Sequence, residues 1–223
     1  MSNTSDKIKE IKAQFRLFMN GAVSHSMRKK GFEDYKLNFG IELPRIKEIA
    51  AQFEPNVAVA ESLWLENIRE CKILATMLYP KEEFDVDTAN LWVKQTPNIE
   101  IAQMLSMNLL QHLEFVPSLT FSWIASDNDL VQTIGFITIS RLVPAKIRLE
   151  GRAADEFTNQ LIAAGQSADY QLRHAAVLAA TSFMEQGPEF KNTIMALIEP
   201  LEVSENQYAK TFYQVVSEEA SFL

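Results

Sequence analysis

Apolar residues along this chain recur at helical spacing, and clean strand-like alternation is rare. Near the start, Ile8, Ile11, Phe15 and Phe18 share one face, with Lys7, Lys9, Glu10 and Lys12 off it. Ile68, Cys71, Ala75 and Leu78 form a second stripe. Leu172, Ala175, Ala176, Ala179 and Phe183 form a third, whose small residues admit a close helical neighbour. Tyr208, Phe212 and Val215 form a fourth. Leu130–Val143 is ambiguous, because its Ile and Thr content suits a strand. The polar run Ser126-Asp127-Asn128-Asp129 before it reads instead as a helix start, capped by Ser126 or Asp127 with Asp129 in the first turn. Ser204-Glu205-Asn206-Gln207 has the form of a capping box opening the last helix.

The prolines at 44, 55, 80, 97, 117, 144, 188 and 200 fall between these periodic segments or in their first turns, with Pro44 and Pro188 as first-turn prolines. Roughly 11 or 12 helices are expected, over about 5–19, 22–30, 43–53, 56–65, 67–79, 86–95, 98–114, 116–125, 128–142, 153–165, 168–185, 188–200 and 204–221, with one of these spans split or missing. From 56 onward they pair, with second helices starting near 67, 98, 128, 168 and 204. A step of about 30–40 residues approaches the period of HEAT-type repeats. The expected fold is all-α: a curved α-solenoid of antiparallel helix pairs, whose second helices line a concave surface. One domain over 1–223 is expected, with basic N-terminal helices over 1–53 and paired-helix repeats over 54–223.

Composition narrows the function classes. Among 223 residues, 47% are hydrophobic and 22% charged, which excludes intrinsic disorder. Seven glycines are few for a sheet protein with tight hairpins. A single cysteine, Cys71, rules out an intramolecular disulfide and a cysteine-based zinc site. The start, MSNTSDKIKEIK, lacks the apolar core of a signal peptide, and the apolar stretch 101–126 carries too many polar groups for a membrane span. A cytoplasmic protein with no cofactor, no metal and no membrane contact is expected. No nucleotide-binding glycine motif, H-E-x-x-H or C-x-x-C occurs, and His25, His112 and His174 lie far apart. Cys71 reads as a buried thiol and His174 as a surface or packing residue.

Three segments carry a resemblance. The first, Tyr35-Lys36-Leu37-Asn38-Phe39-Gly40-Ile41-Glu42-Leu43-Pro44-Arg45-Ile46-Lys47, holds an aromatic-x-Gly-Ile-x-x-Pro element followed by basic residues. The second is Leu63-Trp64, then Ile68-Arg69-Glu70 and Ala75. The third is Trp123-Ile124-Ala125-Ser126-Asp127-Asn128, then Leu130 and Gln132. In order and spacing these resemble the AlkD-like DNA alkylation repair family, over about residues 5–221. The resemblance implies a curved stack of HEAT-like repeats. In active members it also implies a catalytic carboxylate on one inner helix, with aromatics against the sugar of the damaged nucleotide. Here that stretch is Thr96-Pro97-Asn98-Ile99-Glu100-Ile101-Ala102-Gln103. It places Ala102 at the carboxylate and Asn98 at the first aromatic. Leu178 stands at the other aromatic, and Thr133 at an arginine. Glu100 is the nearby carboxylate and the only catalytic candidate. Two residues along a helix turn it by about 200° from Ala102.

Net charge is −8, but residues 1–50 carry +4 and residues 51–223 carry −12. The candidate nucleic-acid contacts are therefore N-terminal: Arg28, Lys29, Lys30, Lys36, Arg45 and Lys47, interleaved with Phe32, Tyr35 and Phe39. Cations grip phosphates and rings stack on bases; the alternative is a solvated helical face with its aromatics in the core. Three functions follow: a non-catalytic member binding nucleic acid on the concave face, a scaffold for a basic protein partner there, or an active glycosylase excising alkylated bases through Glu100.

Overall fold

A computed structural model describes residues 4–29, 35–143 and 151–223, the last stretch with side chains from 154 onward. Lys30, Phe32 and Pro144 lie outside the described residues. Thirteen α-helices are present among them: α1 Thr4–Leu17, α2 Gly21–Lys29, α3 Leu43–Ala50, α4 Val57–Leu65, α5 Arg69–Leu78, α6 Val86–Gln95, α7 Ile99–Asn108, α8 Val116–Ile124, α9 Asp129–Leu142, α10 Gly151–Gly165, α11 Tyr170–Met184, α12 Pro188–Ile198 and α13 Gln207–Ser221. The expected pairs are therefore α4/α5, α6/α7, α8/α9, α10/α11 and α12/α13. The largest difference in extent is at 98–114, where α7 stops at Asn108 and a 3-10 turn over Leu110–His112 follows. The chain gathers into two compact units, Met1–Ala89 and Asn90–Leu223.

In the first unit α5 packs against α3 and α4. The predicted stripe of α5 understates its burial: Arg69, Glu70, Ile73, Leu74 and Thr76 are buried as well as Cys71, Ala75 and Leu78. The two polar residues at its start are held by a neighbouring segment. Glu70, with no exposed surface, accepts from the backbone N–H of Phe39 at 3.1 Å and of Ile41 at 3.2 Å. Arg69 donates to Glu70 at 3.1 Å and to the carbonyl of Ile41 at 2.8 Å. Two of the sequence segments that carry the family resemblance are thus parts of one assembly. A parallel bridge between Leu37 and Ile68 fastens the same segment. Gly40 sits inside it with φ of +71°, and a Cβ there would lie 2.3 Å from the carbonyl oxygen of Asn20, so no side chain fits.

In the second unit α9 is central, packed against α7, α8 and α11. The segment with strand propensity is a helix because it is buried nearly all round, from Thr133 through Ile139, and tertiary packing overrides propensity. Its hydroxyls are satisfied: Thr133 bonds the carbonyl of Asp129 at 2.7 Å, and Thr138 pairs with Ser106 of α7 at 2.9 Å. Trp123, at the end of α8, donates its indole N–H to Asn90 at 2.9 Å.

The caps differ from expectation by one or two residues. Asn128, not Ser126 or Asp127, caps α9, accepting from Leu130 and Val131 at 3.0 Å each. Asn206, not Ser204, caps α13. The displaced serines close the preceding turn, with Ser126 accepting from the N–H of Asn128 and Ser204 from that of Asn206, both at 3.2 Å. Ser167 and Asp169 repeat the device before α11. A hydroxyl two residues ahead of an Asn or Asp cap thus opens three successive second helices, using the short-range bonding these side chains favour.

The α11 stripe is buried as expected. The α13 stripe is rotated by one position: Ala209, Phe212, Val216 and Ala220 are buried, whereas Tyr208 is 43% and Val215 38% exposed.

Candidate nucleic-acid interface

The candidate contacts that the structure describes, Arg28, Lys29, Lys36, Arg45 and Lys47, all reach solvent. Arg28 and Lys29 end α2, Lys36 precedes the Leu37 bridge, and Arg45 and Lys47 lie on α3. Arg45 is already engaged, paired with Glu48 and stacked 4.6 Å over the Phe18 ring. Of the interleaved aromatics, the two that are described are not available to stack: Tyr35 and Phe39 are both buried, and Phe39 packs 5.7 Å from Phe15.

In the second unit the stretch 96–103 leads into α7. Asn98 is its cap, accepting from the N–H of Ile101 at 3.2 Å. Ala102 has no exposed surface and Glu100 is partly exposed in the first turn, in keeping with the turn of about 200° between them. Thr133 is buried and bonds its own helix. Leu178 on α11 is 40% exposed.

Two further polar groups are set by burial. Burial pushes the Cys71 thiol up to about 12, against a smaller opposing pull from Lys12, so Cys71 is a protonated core residue and no nucleophile. Burial also lowers the Lys72 ammonium from its ordinary range. Lys72 donates to the carbonyl of Trp64 at 2.7 Å and lies 4.8 Å over that ring. No group of three or more His, Cys, Asp or Glu that could hold a metal exists among the described residues, and no described helix is long and apolar enough to cross a membrane.

Sequence reasoning passed over one surface. Tyr170 and His174, both exposed on α11, stack with centroids 5.9 Å apart and planes 3° from parallel. Beside them the Arg173 guanidinium lies 4.6 Å over Tyr208 of α13. The signal available was the Tyr-x-x-x-His spacing, which puts both rings on one helical face.

No curated protein matches the chain. A solved structure from a new family of proteins related to the HEAT-like repeat DNA glycosylases, with affinity for branched DNA structures, superimposes with a TM-score of 0.73 at 11% identity, covering 94% of each chain. That likeness establishes a HEAT-like repeat fold. The sequence model of the family described as DNA alkylation repair enzyme matches residues 10–164. The chain, matched over more than half its length and carrying the family's helical-repeat fold, belongs to the DNA alkylation repair enzyme family.

Proposed function

We propose that this protein binds DNA without excising a base, its first unit supplying phosphate contacts. The observation that supports the absence of excision is Ala102, a fully buried methyl at the position to which the sequence resemblance assigns the carboxylate of active members. Departure of an alkylated base leaves positive charge on the sugar, and stabilising charge that develops in a transition state is usually the largest catalytic term. A methyl group supplies none of it. The other aligned positions agree: Asn98 is committed to capping α7, Leu178 is aliphatic, and Thr133 bonds its own helix. DNA as the ligand is supported by family membership and by the affinity for branched DNA of the structurally similar protein.

The proposed contacts are Arg28, Lys29, Lys36 and Lys47, with Lys30 adjoining them in sequence and Arg45 contributing less because Glu48 and Phe18 hold it. Fluorescence anisotropy with a labelled duplex and a labelled four-way junction, titrated across salt, tests the binding. Affinity should fall linearly on logarithmic axes, and Lys29→Ala/Lys36→Ala/Lys47→Ala should reduce the slope by roughly 0.9 for each phosphate deprived of its lysine. Absence of binding to either probe at low salt sinks the reading. Release of methylated purines from alkylated DNA is the companion assay, expected to give none. Release by the wild type that disappears in Glu100→Gln would instead establish the glycosylase. The −12 charge of residues 51–223 favours a second reading, a basic protein partner. It is preferred if neither DNA probe binds and a defined basic protein such as a histone does.

A further inference from the structure

We infer that the starts of α11 and α13 form a stacking platform for unpaired nucleobases, distinct from the basic residues of the first unit. The inference rests on the proposed DNA binding and names the part of the nucleic acid that the second unit takes. Tyr170 is 64% exposed and Tyr208 43%, large rings to leave in water unless a partner covers them. The Tyr170–His174 pair, parallel within 3°, presents aromatic faces and edges on one side of α11. An (i, i+4) contact of this kind stabilises a helix by only about 0.2–0.5 kcal/mol, too little to account for so much exposed ring.

The platform spans two helices and is held in place. Arg173 donates to the carbonyl of Ser167 at 2.6 Å while its guanidinium covers Tyr208. The side-chain amide of Asn206 donates to the carbonyl of Gln166 at 3.0 Å, fastening the start of α13 beside the end of α10. The rings therefore need little ordering when a ligand arrives, which limits the entropic cost of binding.

Charge identifies the occupant. The region from 51 onward is strongly acidic overall, yet α11 contains no Asp or Glu, and α13 contains none before Glu218. Within them lie Arg173 and Lys210. Asp169, which precedes α11, is occupied in capping that helix; Glu205 precedes α13 and is exposed. Cations beside stackable rings, on helix starts whose dipoles are positive, suit a base with its phosphate. Duplex bases are already stacked on each other, so the rings select unpaired ones, whether in a single strand or at a junction.

The test compares a labelled 15-nucleotide pyrimidine single strand with a 15-base-pair duplex, by anisotropy at one low salt concentration. Tyr170→Ala/His174→Ala should weaken single-strand binding about tenfold and duplex binding less than twofold. Tyr170→Phe, which keeps the ring, should stay within twofold of wild type on both. All the substituted residues are exposed, so the thermal midpoint should not move, and its constancy verifies that the variants are folded. Equal loss on both probes, or no loss on the single strand, overturns the platform. If the wild type binds both probes and the variants match it, the platform fails and DNA binding stands. If the wild type binds neither, DNA binding itself fails.

Discussion

Glu70 and Glu100 occupy equivalent places, each the second residue of a second helix, α5 in the first unit and α7 in the second. Their fates differ completely. Glu70 has no exposed surface and collects two backbone N–H groups and the Arg69 guanidinium. Glu100 stays partly exposed, while its neighbour Ala102 takes the buried position. A carboxylate's role here is set by what chain segment lies against the helix start. In the first unit the Phe39–Ile41 turn brings unbonded N–H groups to Glu70, and the charge becomes a structural anchor. The buried side of α7 is aliphatic, with Ile101, Ala102 and Leu105, and its one polar link, Ser106 to Thr138, is neutral.

Breaking that contrast gives the largest expected effect. Glu70→Ala should cost about 3–5 kcal/mol of unfolding free energy in denaturant titration, because Arg69 is left buried without its counter-charge. Glu100→Gln should move stability by less than about 0.5 kcal/mol, as surface changes do. A loss of similar size in both would erase the distinction. Gly40→Ala probes the turn that Glu70 anchors. With φ of +71° and backbone oxygen in the way, it should destabilise by about 1–3 kcal/mol, read as a lowered thermal midpoint.

In the second unit Ser106→Ala should cost about 1–3 kcal/mol by orphaning Thr138, while Ser106→Ala/Thr138→Val should recover most of it. No recovery in the double variant would mean that the hydroxyl pair is not the source of the loss. The last of these effects concerns Cys71. Its thiol is pushed from the ordinary 9.0 to about 12, so between those values the native state keeps a proton that the unfolded chain has lost. Its contribution is complete below about pH 9 and declines as pH rises toward 12. The alkaline decline in stability should therefore be shallower in Cys71→Ala than in wild type. A thiol reagent should also label Cys71 only after unfolding.

Helix order, and the pairing of α4 with α5, α8 with α9, α10 with α11 and α12 with α13, were legible because apolar periodicity runs between polar or proline boundaries. Boundaries were less legible. In Ser126-Asp127-Asn128 and Ser204-Glu205-Asn206 two side chains each fit the cap, and the choice depends on where the first helical turn closes. The faces of α11 and α13 separate the same way. Leu172, Ala175, Ala176, Ala179 and Phe183 leave a single burial solution. On α13 both Tyr208–Val215 and Ala209–Val216 make apolar rows one position apart, and packing chose the row with the smaller residues. Gly165 shows why the space is tight, since a Cβ there would lie 2.7 Å from the Phe212 ring. The rejected row is what leaves Tyr208 in solvent under Arg173. The N-terminal aromatics went the opposite way, with Tyr35 and Phe39 drawn into the core of the first unit.

By itself, then, the amino-acid order determined an all-helical repeat and its family, because periodicity, punctuation and residue identity are local properties. Only the tertiary structure decided which charges are anchors and which rings meet solvent. Glu70 and Glu100, or Tyr35 and Tyr170, cannot be told apart as residue types. What separates them is the backbone or helix packed against each, and that is set by segments tens of residues away.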